Sequence, residues 1–219
     1  MKRRSRIVLG LAAFYAALWL LWFTPVVFPL RIFVVLLHEL SHAAAAVATG
    51  GAVEQIELNA NEGGATYSRG GSPFIILTAG YLGSLLWGLA LIEAARLKKN
   101  YARWVLGGLA GLIAAVALLY VRNVFGFVFT IVFAIALVVC ARNLSRNGVA
   151  YVLLALGLTS ALYALLDIRS DILARPHAES DAFFLQQLTG IPSIAWGVAW
   201  SIVALIACWF ALKRMLGRA

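Results

Sequence analysis

Charged residues are scarce in this chain of 219 residues: they make up 12% of the sequence, and only nine are acidic. Soluble domains carry about 25% charged residues. The chain is 63% hydrophobic and its mean hydropathy is +0.92. Such a chain has too little polar surface to cover its apolar groups in water. The composition therefore excludes a soluble globular protein and predicts a multi-pass protein of the cell membrane.

Cysteine is also scarce, since only Cys140 and Cys208 occur and both lie within apolar runs. Two cysteines are too few for a zinc-ribbon framework. A buried cysteine outside such a framework behaves as a small hydrophobic residue. We therefore expect neither cysteine to take part in chemistry.

Basic residues give the chain a formal charge of +9, and they lie in short clusters at the ends of apolar runs. This distribution is typical of charge that flanks membrane helices. No basic stretch is interleaved with the aromatic and polar residues of a nucleic-acid-binding surface. The expected partner is therefore a lipid bilayer and not nucleic acid.

Apolar runs of about 20 residues mark membrane helices. Their number predicts an all-α polytopic membrane protein with six or seven transmembrane helices, in one integral-membrane domain that covers residues 1–219. The candidate spans are residues 7–29, 32–49, 74–95, 104–121, 124–141, 149–167 and 193–212.

The basic clusters pose a problem of orientation, because positive charge favours one side of the membrane. Three candidate spans separate the cluster at residues 2–6 from the cluster at 96–103. An odd number of crossings would place these two clusters on opposite sides. Either one early segment fails to cross completely, or the cluster that follows Glu93 lies on the unfavoured side.

Two segments are polar. Residues 50–72 hold two short runs, Val53–Leu58 and Ala65–Ser68, separated by Asn and Gly, which predicts a small membrane-associated β-hairpin. The Asp-rich segment 167–192 carries four of the nine acidic residues. In it, Ser180 precedes the sequence DAFFLQQL and is expected to cap a short helix that ends before Gly190.

Three ionisable side chains interrupt the apolar segment 32–49, in the pentapeptide HELSH: His38, Glu39 and His42. Positions i and i+4 share one face of a helix, so both histidines can bind one ion. Glu39 follows the first ligand, where a carboxylate can act as general base for a water whose pKa zinc lowers to about 7. Because ionisable groups at mid-membrane cost about 2.5–3.5 kcal/mol each, the cluster needs a compensating ligand. We therefore predict one zinc ion per chain, in preference to a hydrogen-bonded cluster or a proton relay.

The sequence resembles the site-2 proteases, which are intramembrane zinc metallopeptidases. HELSHAAAAVATGG is similar to the zinc helix of that family, VEQIELNANEGGATY to its β-hairpin, and TAGYLGSLLWG to its next helix. The late LDIRSD and SDA motifs, followed by Trp196 and Trp200, extend the resemblance to most of residues 32–200. The Asp-Gly motif that supplies the third ligand in most members does not occur in this chain.

The resemblance implies a third zinc ligand from the Asp-rich segment, and several residues compete for that role. Asp167 ends an apolar run and is our first choice, with Asp171 and Asp181 as the alternatives. An acidic oxygen donor is compatible with zinc. The full candidate set is Asp167, Asp171, Asp181, Glu179 and His177.

The resemblance also implies an intramembrane zinc metalloprotease that cuts a transmembrane protein substrate. The hairpin would receive the substrate by strand addition, in which main-chain hydrogen bonds give affinity. A non-proteolytic, metal-binding protein that holds membrane helices is the alternative, and a small transporter is a third possibility. The expected substrate-binding residues are Gly63, Gly64, Ala65, Thr66 and Asn123.

Overall fold

The computed structural model describes residues 3–97, 101–169 and 180–217. Within these residues the chain forms eight helices and one two-stranded antiparallel sheet. In chain order the elements are α1 (Arg3–Leu20), α2 (Phe28–Ala48), β1 (Ala52–Leu58), β2 (Gly64–Arg69), α3 (Pro73–Ala94), α4 (Tyr101–Tyr120), α5 (Val124–Asn143), α6 (Arg146–Arg169), α7 (Asp181–Thr189) and α8 (Ser193–Gly217).

Six of the described helices, α2 to α6 and α8, are long and apolar enough to cross a membrane. The predicted polytopic helical architecture is therefore confirmed, with six such helices. The predicted first span, residues 7–29, is divided between α1 and the start of α2. Pro29 occupies the first turn of α2, where a residue without an N–H is tolerated, so this helix begins at Phe28 rather than at residue 32.

Basic residues from distant parts of the chain meet at one end of the helix bundle. Arg4 Nε donates a hydrogen bond to the carbonyl of Leu216 at 3.2 Å. Glu93, at the end of α3, pairs with Arg96 at 3.1 Å and with Arg214 of α8 at 3.7 Å. The start of α1 and the end of α3 therefore lie at the same end of the bundle. This arrangement favours an early segment that does not cross completely, and α1 is not among the apolar spans.

Helix α2 is the most enclosed of the six spans. Of its apolar stretch 78% is buried inside the protein, whereas only 17% of the apolar stretch of α8 is buried. Helices α3 and α6 pack closely beside it. A Cβ added at Gly88 would lie 2.8 Å from the carbonyl oxygen of Gly157, so the two backbones touch where these glycines meet. One turn away, Ser160 Oγ donates to the carbonyl of Ser84 at 2.7 Å. The motif-bearing helix thus lies in the buried centre of the bundle.

The β-hairpin lies where it was predicted, with Leu58 opposite Gly64 and Ile56 opposite Thr66. The outer edge of β1 is covered by the turn between α4 and α5. Ile56 forms a parallel bridge with Val121, and the Asn123 side chain binds the backbone of Leu58. Among the described residues, no strand pairs with the outer edge of β2.

A candidate metal centre

His38 and His42 project from the same face of α2, as their spacing predicts, and meet Asp181 from the first turn of α7. His38 Nε2 lies 3.0 Å from Asp181 Oδ2, and His42 Nε2 lies 3.3 Å from the same oxygen. The two imidazole rings are 4.7 Å apart between centroids. Two nitrogens and one carboxylate oxygen therefore converge on a single point between α2 and α7.

Helix α7 delivers Asp181 through a local signal and a tertiary contact. The Ser180 hydroxyl accepts a hydrogen bond from the Phe183 N–H at 3.3 Å, and Gly190 ends the helix with φ 76°, so the predicted cap and stop are confirmed. The apolar face of α7, formed by Ala182 and Leu185, is fully buried. It packs in one cluster with Tyr81 of α3 and with Ile168 and Trp200.

The spacing of these three donor atoms is compatible with a zinc ion. Atoms about 2.0–2.1 Å from a tetrahedral zinc lie about 3.3 Å from one another. The separations of 3.0 and 3.3 Å match that spacing, and all three atoms lie within 4.8 Å of one another. Two histidines and one carboxylate are also a donor set that catalytic zinc uses, with the fourth position open.

Gly80 of α3 provides the room for this cluster. A Cβ at Gly80 would overlap His38 Nε2 and lie 2.7 Å from Asp181 Oδ2. Gly83, one turn further along α3, faces Ser41 in the same close manner. Gly80 and Gly83 therefore allow α3 to pack closely against the histidine-bearing helix.

Neighbouring groups orient both imidazoles. His42 Nδ1 lies 2.7 Å from the carbonyl oxygen of Ile76, which can only accept, so Nδ1 carries a proton and Nε2 faces the cluster. The ring of Tyr81 meets the ring of His38 edge-on at 4.9 Å. A hydrogen bond to a carbonyl, as at His42, fixes the tautomer and the orientation of a histidine, whereas the Tyr81 ring restricts the rotation of His38.

Asp181 remains ionised in this setting. Burial alone would raise the pKa of its carboxyl, but the adjacent His42 and His38 outweigh burial and hold that pKa well below its usual range. An anionic carboxylate is the form that binds a metal.

Glu39 lies on the hairpin side of α2 and is 5% exposed. The Thr66 hydroxyl lies 2.8 Å from Glu39 Oε2 and 3.0 Å from the Glu39 carbonyl oxygen, so its single proton is shared between two acceptors of one residue. A Cβ at Gly64 would lie 2.5 Å from Glu39 Oε1. The start of β2 therefore packs directly against the carboxylate.

The other predicted site residues have different positions. Asp167 lies in the last turn of α6, but its side chain is not among the described ones. Three further candidates lie outside the described residues altogether: Asp171, His177 and Glu179. The preference for Asp167 as third ligand stays a prediction, and among the side chains that the structure describes Asp181 is the carboxylate that lies beside both histidines.

Asn123 is expected to contact substrate, and in the structure its side chain contacts the hairpin. The Leu58 N–H donates to Asn123 Oδ1 at 3.1 Å, and Asn123 Nδ2 donates to the Leu58 carbonyl at 2.5 Å. Both hydrogen-bonding groups of the amide are thereby occupied. A role in binding substrate stays a prediction for the whole expected set, which is Gly63, Gly64, Ala65, Thr66 and Asn123.

Sequence analysis missed two contributors to the site. The Ile76 carbonyl is a backbone group, and no side-chain pattern marks it. Tyr81 stands within TAGYLGSLLWG, a stretch that carries part of the family resemblance, and an aromatic residue next to Gly80 in that stretch was the available signal.

Comparison with known proteins gives one match. A family model described as Peptidase M50B-like matches residues 11–211. That range includes α2, the hairpin, α7 and most of α8. No curated protein and no solved structure matches the chain significantly.

Proposed function

The chain belongs to the Peptidase M50B-like family, and from this premise we propose that it is an intramembrane zinc metalloprotease that hydrolyses peptide bonds of membrane-embedded proteins. The main support for this proposal is a cluster of side chains. His38, His42 and Asp181 converge next to the buried Glu39. His38, His42 and Glu39 belong to α2 and Asp181 reaches them from α7, so a donor set that could bind a metal lies next to a candidate general base in a multi-pass membrane protein.

His38, His42 and Asp181 would hold the zinc ion. When bound, zinc supplies Lewis acidity, which polarises the scissile carbonyl and acidifies water. The contribution of the chain is to hold the donors in place beforehand. Ile76 fixes the tautomer of His42, and Gly80 leaves the space that the cluster needs. Preorganised ligands avoid the cost of ordering them during each turnover.

Glu39 would move the protons of the reaction. Its carboxylate accepts the proton of the attacking water and later gives it to the leaving amine, as one residue does in both steps of general acid–base catalysis. Thr66 donates to Oε2, and Oε1 lies on the side that faces Gly64. The hydroxyl therefore orients the carboxylate.

The hairpin would bind the substrate backbone at the outer edge of β2. The opposite edge, on β1, is already occupied by Val121 and Asn123. A locally unwound substrate that pairs with β2 would pass Gly64 and Thr66, and so would run beside Glu39. Main-chain pairing would bind substrates of varied sequence.

The experiment uses the purified full chain in detergent with a library of single-span transmembrane peptides. Wild type is expected to cleave members of the library, to stop when zinc is chelated, and to recover when zinc is restored. Glu39→Gln has nearly the same shape and should keep the zinc but lose cleavage. Cleavage by Glu39→Gln at the wild-type rate would contradict the mechanism.

The second candidate is a non-proteolytic protein that binds membrane helices and uses its metal structurally. The burial of Glu39 and its hydrogen bond to Thr66 favour this candidate, since both restrict the access of water to the carboxylate. Wild type that binds zinc and captures peptides from the library, but cleaves none of them, would establish it in place of the protease.

A further inference from the structure

Arg31 is a buried cation in the first turns of α2. It is 7% exposed, and its guanidinium carbon lies 5.8 Å from the ring centres of both Trp22 and Phe28. An unpaired charge in such a place is costly. Among the described residues its carboxylate partner is Glu62, which lies in the turn between β1 and β2.

The turn that carries Glu62 is held in an unusual conformation. Glu62 has φ 67°, a left-handed conformation that non-glycine residues rarely adopt. Its N–H donates to the Asn59 carbonyl at 3.1 Å, and the Asn59 N–H donates to the Gly63 carbonyl at 2.8 Å. Strained backbone of this kind persists only where surrounding contacts stabilise it, and it concentrates at functional sites.

Helix α2 contacts the hairpin at two places: Arg31 pairs with Glu62 in the hairpin turn, and Glu39 packs against Gly64. Arg31 precedes His38 by seven residues, which is about 10 Å along a helix and returns to nearly the same face. Glu62 precedes Gly64 by two residues, and Gly64 touches the Glu39 carboxylate. The ion pair therefore fixes how far along α2 the hairpin extends.

We propose that Arg31 is a positioning residue, which through Glu62 holds the hairpin turn at the place where Gly64 and Thr66 pack against Glu39. The proposal rests on the proposed function for its effect on cleavage, but its effect on the hairpin does not depend on that function. The ion pair touches neither the three candidate ligands nor the substrate edge of β2, so its loss should disturb placement and leave the metal site intact.

The test compares Glu62→Gln with Glu54→Gln. Gln keeps the shape of Glu and removes the charge. Glu54 is a matched control, because it also pairs with an arginine of the hairpin, Arg69, at 3.4 Å, but the two side chains are 52% and 83% exposed. Exposed pairs of this kind contribute little to stability. Arg31→Lys, which keeps the charge, serves as the conservative variant.

Three quantities are measured on each full-length variant: zinc per chain, hydrogen–deuterium exchange of residues 59–66, and kcat and KM for a library peptide that wild type cleaves. Glu62→Gln is expected to keep its zinc, to exchange faster in the hairpin turn, and to lose about tenfold or more in kcat/KM, because small displacements at an active site are costly. Arg31→Lys keeps the charge, and it should therefore retain most of the wild-type kcat/KM and most of the wild-type protection from exchange in the hairpin turn.

Two results would overturn the proposal. In the first, Glu62→Gln matches Glu54→Gln in both exchange and kcat/KM. In the second, Glu62→Gln loses zinc together with cleavage, which would show a general structural role. If wild type cleaves no peptide, the protease proposal fails separately, and the exchange of residues 59–66 alone then decides whether Arg31 positions the hairpin.

Discussion

Replacing Gly80 by alanine should expel the metal while leaving the helix bundle folded. The new Cβ would lie 2.7 Å from Asp181 Oδ2 and would overlap His38 Nε2. Ordinary van der Waals contact begins at 3.4 Å, so the carboxylate alone would have to retreat by about 0.7 Å. Metal–ligand distances tolerate about 0.2 Å. Two of the three ligands would therefore leave their positions.

The expected loss is at least about 100-fold in zinc affinity, or about 2.8 kcal/mol. Disturbing only the groups that orient ligands costs about 10–100-fold, and here the ligands themselves move. Gly108→Ala is the matched control, since a Cβ at this position of α4 would meet no atom within 4 Å.

Zinc affinity would be measured by competition with a chelator, and folding by far-ultraviolet circular dichroism. Gly108→Ala should bind zinc as wild type does. A Gly80→Ala protein that keeps its helical content and binds zinc with the affinity of Gly108→Ala would refute the assigned geometry.

Two other contacts give further predictions. Thr66→Ala removes the hydrogen bond to Glu39 Oε2, which is worth about 1.5–3 kcal/mol for a charged acceptor; we expect kcat/KM to fall about tenfold or more, zinc to stay bound, and Thr66→Ser to retain most activity. Asn123→Ala removes both hydrogen bonds to the Leu58 backbone and should lower the free energy of unfolding by about 1–3 kcal/mol. The exposed Asn143→Ala, at the other end of α5, should leave the thermal midpoint unchanged; equal midpoints for these two variants would show that Asn123 does not stabilise the hairpin.

Local patterns predicted the parts of this protein that depend on local physics. The i, i+4 spacing in HELSH placed His38 and His42 on one face of a helix, and Ser180 and Gly190 marked the ends of α7. Two short runs separated by Asn and Gly predicted the hairpin. Each of these features is decided within a few residues of sequence.

The choice of the third ligand depends on tertiary packing and could not be made from the sequence. Asp167 ends an apolar run, and the sequence therefore favoured it as the carboxylate most deeply placed in the membrane. Asp181 reaches the histidines because Ala182 and Leu185 pack α7 onto α3 and α8. The Arg31–Glu62 contact escaped notice for the same reason, since 31 residues separate its members.

The most direct measurement is the zinc content of four purified full-length proteins: wild type, Asp181→Ala, Asp167→Ala and Asp171→Ala. A site made of His38, His42 and Asp181 predicts about one zinc per chain in every protein except Asp181→Ala, which should hold almost none. Full zinc in a folded Asp181→Ala protein would contradict the assigned site. If only Asp167→Ala or only Asp171→Ala loses zinc, that aspartate is the third zinc ligand in place of Asp181.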